Sequence, residues 1–154
     1  MTGSMPRTSR LPGTSSRRIV RLLLGEPRGP LGEADGAVPD GVTVFDGVEF
    51  YVSSGWRSPE YQDQLLREAV AEYGSEDEAA RWVATATTSP HVAGDAVDIG
   101  RSDATEWLSR HGAEHGLCQI YRNEPWHYEL RTEAIEHGCP RMYADPTQDP
   151  RMQQ

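Results

Sequence analysis

The stretch PWHYEL, residues 125–130, alternates apolar and polar side chains, and that alternation restricts what can be built around it. A period of two sends Trp126, Tyr128 and Leu130 to one side of an extended strand and His127 and Glu129 to the other. Such a segment needs an apolar layer on one face and gathers titratable groups on the opposite one. A second short segment, DAVDI at 95–99, puts Asp98 on the same side as Ala96. Pairing of these strands would set Asp98 beside His127, while His91, on the loop entering the first of them, reaches over the same spot. Gly94 lets the chain bend there without a Cβ in the way.

The rest of the chain reads as a short α+β domain. VTVF and VEFYVSS, separated by Asp46-Gly47, form two strands around a tight turn. Ser58 caps a following helix with Pro59 at its first position. Tyr61, Leu65, Leu66, Ala69, Val70 and Tyr73 fall on one face at helical spacing and are expected in the core, with Gly74 as the stop. Ser75-Glu76-Asp77-Glu78 fits a capping box for a shorter helix carrying Ala79, Trp82 and Val83. A further helix is expected from Asp103 to about His115, with a break at Gly112 and with Trp107 and Leu108 facing inward. Two last strands, LCQIYR and WHYEL, flank Asn123-Glu124-Pro125. The expected fold class is therefore α+β: a single domain with a small antiparallel sheet that carries the site and helices packed mainly on one side.

Composition bounds this reading. Residues 1–40 are rich in Ser, Arg, Gly and Pro with little periodicity and are expected to be disordered or a linker, which leaves 41–154 as the domain. Fifteen Lys and Arg stand against 24 Asp and Glu, a formal charge of -9, which argues against a nucleic-acid partner. Ile19-Val20 and Leu22-Leu23-Leu24, split by Arg21, fall far short of the roughly 20 apolar residues of a membrane span, so no transmembrane segment is expected. Ser15, Ser16, Arg17 and Arg18 look like the start of a signal peptide, but Gly25-Glu26-Pro27-Arg28 follows at once, and cleavage is not expected. Cys118 and Cys139 lack the CxxC spacing of a structural zinc site. They either remain two buried thiols or form one bridge that ties the C-terminal tail to a strand.

Two imidazoles and one carboxylate are the donor set of a catalytic zinc, with a fourth position left for water. His91, Asp98 and His127 supply that set. Glu124, three residues before His127, is placed to take a proton from the water and pass it to a leaving amine. The reaction class that follows is amide hydrolysis. A lone histidine is more often a surface or core residue, and His111, His115 and His137 are expected at helix surfaces or ends. Tyr121 and Trp126 either wall the cleft or belong to the core.

SGWRSPEYQDQLL, SPHVAGDAVDIG and NEPWHYEL together resemble the VanY-type zinc D-alanyl-D-alanine carboxypeptidases, relatives of the VanX dipeptidases and phage peptidoglycan endopeptidases. The resemblance runs from about Val48 to about Leu130. It implies one zinc per chain held by His91, Asp98 and His127, with Glu124 as the catalytic base. It also implies that Arg57 steadies the substrate and the developing oxyanion, that Ser89 lies near the substrate's terminal carboxylate, and that Gln62 lines the cleft. The implied partner is a peptidoglycan stem peptide ending in D-Ala-D-Ala, met outside the membrane by a monomeric enzyme. D-Ala-D-Ala dipeptidase, peptidoglycan endopeptidase and a non-catalytic zinc or wall-binding module are the alternatives. Family members carry an amphipathic helix upstream of the strand that leads into SGxRS, whereas VTVFDGVEFYVSSGWRS runs from strand to strand, so this region is expected to be shortened.

Overall fold

The computed structural model describes residues 42–45, 47–100 and 102–154, which form a five-stranded antiparallel sheet with short helices around it. The linker expected at 1–40 and Asp46 of the expected turn lie outside the described residues; the strand-to-strand run at 42–58, expected to be shortened, is otherwise described. Strands β1 (Val42–Phe45) and β2 (Val48–Ser54) pair as the expected hairpin, with Phe45 opposite Val48. Ser58 accepts a hydrogen bond from the Tyr61 amide at 3.1 Å and so caps α1 (Pro59–Tyr73), which Gly74 ends. Ser75 caps the single turn α2 (Glu76–Ala79), which stops short of Trp82 and Val83, so the longer helix expected to carry them needs correction. Next come α3 (Pro90–Ala93), β3 (Ala96–Gly100) and α4 (Ser102–His111), the last continued by a 3-10 turn at Gly112–His115. Strand β4 (Leu117–Gln119), β5 (His127–Leu130) and α5 (Ala134–His137) complete the fold, in the sheet order β1-β2-β3-β5-β4.

Alternation along these strands divides the sheet into two unlike faces. Phe50, Val97, Ile99, Leu117 and Tyr128 point to one side, where α4 lays Ala104 and Leu108 over them. Trp107 meets Phe50 edge to face, with ring centroids 5.6 Å apart. Each large aliphatic side chain taken out of water here contributes about 1.5–3 kcal/mol. Gly112 permits the close return of the chain after α4, since a Cβ there would stand 2.4 Å from the carbonyl oxygen of Leu117.

Three further expectations need correction. The α1 stripe is not core: Ala69 is buried, Leu65 and Leu66 are half-buried, and Tyr73 is exposed, because α1 borders a cleft instead of lying on the sheet. The buried polar residue of that helix is Gln62. His115 closes the 3-10 turn, at a helix end as expected, and is buried with its ring stacked at 5.6 Å on Trp107. His91 lies in the one-turn helix α3 and not on a loop. The strand expected over LCQIYR stops at Gln119, and Tyr121 instead bridges in parallel to Tyr143 of the C-terminal tail. Of the two readings left open for the cysteines, the bridge is the one found: Cys118 and Cys139 form a disulfide from β4 to that tail.

Candidate metal centre

Register places the first two groups. β3 and β5 pair antiparallel with Asp98 opposite His127 and Ala96 opposite Glu129, so Asp98, His127 and Glu129 share the face away from the α4 core. The third group comes from the turn before β3. Ser89 receives the Val92 amide and opens α3, and Gly94 closes it at φ 84, a backbone state in which any side chain would be strained. His91 is thereby brought over Asp98.

The two histidines are held in defined orientations. Nδ1 of His91 donates to the Gly55 carbonyl at 2.8 Å, which leaves Nε2 facing Asp98 Oδ1 at 3.2 Å. His127 is turned the other way: Nε2 donates to Glu129 Oε1 at 3.1 Å, and Nδ1 lies 3.2 Å from the same Asp98 oxygen. Each imidazole thus has one nitrogen committed to an acceptor and the other aimed at a common point, as is usual around protein-bound metals. One donor atom from each of His91, Asp98 and His127 lies within 4.8 Å of the others. Tetrahedral ligands about 2.0–2.2 Å from a metal stand about 3.3–3.6 Å from one another, close to these separations. The residues fit a small divalent cation.

Arg57 reaches the set from the other side. A bulge in β2, where Ser54 pairs with Asp98 after Val52 pairs with Ile99, turns the chain into Gly55-Trp56-Arg57. The Arg57 guanidinium then donates to Ser54 Oγ at 2.9 Å, to Gln62 Oε1 at 3.2 Å and to Asp98 Oδ2 at 3.0 Å. Gln62 returns its amide hydrogen to the Ala84 carbonyl at 2.8 Å, so this glutamine both lines the cleft and holds the arginine.

Burial is the largest influence on Glu124, His91, His127 and Asp98, and it opposes charge. At Glu124 it wins, pushing the carboxyl up to about 7. At His91 it also wins, and the imidazole is held below its ordinary value although Asp98 pulls the other way. At His127 the hydrogen bonds to Asp98 and Glu129 outweigh burial and raise the ring to about 9. At Asp98 the hydrogen bonds from both histidines prevail and keep the carboxyl far below the usual carboxylate range. The field that draws a proton onto His127 draws a cation for the same reason.

These groups open onto a cleft of about 400 Å³ walled in part by Arg57, Gln62, Ser89, Glu124, Trp126 and Met152. Glu124 is buried at the turn before β5, with Oε2 3.8 Å from His127 Nδ1. All seven residues singled out for metal, catalysis or substrate therefore converge on one place. Tyr121 and Trp126 both border the cleft, Tyr121 as a buried wall and Trp126 as a half-exposed rim, so Trp126 does not share the core side of Tyr128 as alternation implied, because β5 begins only at His127. Sequence reasoning assigned no role to Glu129, although its spacing of two from His127 already put both on one face. It also missed the tail residues Asp149 and Arg151, which no local pattern connects to the site.

A small antiparallel α+β sheet that presents two buried histidines, an aspartate and a neighbouring glutamate to a cleft defines a metallopeptidase-like class of protein. The family model described as VanY, D-alanyl-D-alanine carboxypeptidase, matches residues 43–132, and the chain belongs to this family. A D-alanyl-D-alanine carboxypeptidase of Enterococcus faecalis (strain ATCC 700802 / V583) is 34% identical, over 54% of this chain and 40% of that protein. The chain thus spans two fifths of the curated relative it matches. Among solved structures, a Glu-to-Ala mutant of the vancomycin-resistance D,D-pentapeptidase VanY, in complex with Zn(II), superimposes with a TM-score of 0.51 at 33% identity, covering 55% of this chain and 62% of that one. VanYB in complex with D-alanine-D-alanine gives a TM-score of 0.53 at 31% identity, over 60% and 68% of the two chains.

Proposed function

We propose that this chain is a zinc-dependent D,D-carboxypeptidase that hydrolyses the terminal D-alanyl-D-alanine amide of peptidoglycan stem peptides. The observation that carries the reading is the convergence of His91 Nε2, His127 Nδ1 and Asp98 Oδ1, each imidazole locked by a hydrogen bond on its far side. His91, Asp98 and His127 would hold one zinc, whose chemistry when bound is to acidify water and polarise a carbonyl. A zinc complex and a D-alanine-D-alanine complex among the VanY structures this chain resembles support this assignment.

The chain's own residues supply the rest. Glu124, poised near neutrality by burial, accepts the proton of the attacking water as oxygen adds to the carbonyl carbon. The same carboxyl then gives that proton to the nitrogen of the departing D-alanine as the carbon–nitrogen bond breaks. Arg57 uses three of its five N–H donors on Ser54, Gln62 and Asp98 among the described residues, and two remain for an oxygen that gains negative charge. Ser89, buried at the head of α3, is the candidate partner for the substrate's terminal carboxylate. A bridged Cys118–Cys139 pair suits an oxidising compartment, where a cell-wall substrate is met.

The test is release of D-alanine from a synthetic stem pentapeptide ending in D-Ala-D-Ala, with zinc and again after chelation. Zinc-dependent release of single D-alanine is expected. Release of the dipeptide, or cleavage only inside the stem, would replace the carboxypeptidase by the dipeptidase or the endopeptidase. Zinc binding without any cleavage would leave a binding module.

A further inference from the structure

The family model ends at residue 132, yet the residues after it return to the metal centre. The Cys118–Cys139 bridge brings the tail back to β4. Tyr143 then pairs with the segment after β4, donating its amide to the Ile120 carbonyl and accepting from the Arg122 amide, both at 2.9 Å. Past that point the tail inserts Asp149, fully buried, and Arg151. Asp149 accepts from the Tyr121 hydroxyl at 2.8 Å and from Arg151 Nε at 3.1 Å to each oxygen. Tyr121 in turn lies against the His127 ring, with centroids 5.4 Å apart.

Arg151 grips Glu129 by both oxygens: Nη1 to Oε2 at 3.0 Å and Nη2 to Oε1 at 3.3 Å. Arg131 touches Oε2 alone, at 2.9 Å, and so holds only one of the two oxygens. The forked contact sets the plane of the carboxylate and so sets where Oε1 meets Nε2–H of His127. Two buried carboxylates held by a partly exposed guanidinium are a poor route to stability, because desolvation of the carboxylates offsets much of the attraction. Orientation is what such a cluster supplies here.

We propose that Arg151 is a positioning residue for the metal centre: through Glu129 it fixes the His127 ring with its Nδ1 lone pair turned toward Asp98 and His91. The proposal rests on the zinc reading above. It makes the tail beyond the family domain a working part of the site.

The test measures zinc affinity by chelator competition, and the visible absorption of the cobalt-loaded protein, for wild type, Arg151→Met and Arg151→Lys at one pH. Outer partners of metal ligands typically govern 10–100-fold in affinity, and Arg151→Met is expected to bind zinc at least about tenfold more weakly, with an altered cobalt spectrum. Arg151→Lys keeps the charge without the fork and is expected to be weakened as well. It also serves as the deciding variant if Arg151→Met fails to fold. Zinc affinity within about twofold of wild type and an unchanged cobalt spectrum, in a variant whose circular dichroism shows the native fold, would overturn the proposal while leaving the zinc site intact. Wild-type protein that binds no zinc overturns the metal reading and this one with it.

Discussion

The two faces of β3 and β5 are built from alternate residues of the same nine positions, and they solve opposite problems. Val97, Ile99 and Tyr128 lose water to a close-packed apolar layer under α4 and need only fit. Asp98, His127 and Glu129, one residue along, are equally buried, and each must find a partner for every polar atom it takes out of water. The first face is held by many interchangeable contacts, whereas the second is held by a few directional ones. Stability and function therefore respond to different substitutions in neighbouring residues.

The largest separation is expected at Glu124. Glu124→Gln should lower D-alanine release by about 10²–10⁴-fold, the usual worth of a general acid–base group, while zinc stoichiometry by mass spectrometry and the melting temperature change little. Equal turnover in this variant would remove Glu124 from the mechanism. The pH profile carries the same signature, since Glu124 acts as a base only when ionised. Its proton is held up to about 7 in the zinc-free chain, and a dication beside it can only lower that value. The acid limb of kcat/KM is accordingly expected at or below about 7, with activity falling tenfold per unit further down, and Glu124→Gln should abolish that limb.

On the apolar face the expectation reverses. Ile99→Ala removes buried methyl groups one residue from Asp98 and should cost about 2–5 kcal/mol in urea unfolding, with turnover per folded molecule nearly unchanged. A large loss of turnover in the folded fraction would show that the two faces are not separable. Reducing the Cys118–Cys139 bridge opens a loop closed across a sequence separation of 21 residues, which the chain-entropy argument values at about 3 kcal/mol. Thermal melts with and without reductant measure it. The smallest effect is expected at the exposed Arg110–Glu106 pair on α4, which faces neither problem; Arg110→Ala should change stability by less than about 0.5 kcal/mol.

Much of the site was legible before the fold was. Alternation in PWHYEL and DAVDI put His127 and Asp98 on matching faces, and the antiparallel register bears this out. The Ser58-Pro59 start of α1 and the hairpin of β1 and β2 were equally local and equally readable. The α1 stripe misled because helical spacing tells which residues share a face and says nothing about what covers it. That face turned out to border the cleft. His115 stands at a helix end as expected, but its burial and its stacking on Trp107 are tertiary facts that no local pattern shows.

Residue order settles what nearest neighbours decide: the period of each strand, the caps of each helix, and which side chains stand together on one face. These follow from dihedral preferences and steric limits that act over a few bonds. The Asp98–His127 register, the fork of Arg151 on Glu129 and the disulfide to the tail join residues far apart in the chain. Such contacts exist only after the sheet has closed and loop entropy has been overcome, so they are properties of the packed molecule. The donor atoms were present in the string of letters, but their common aim arose in three dimensions.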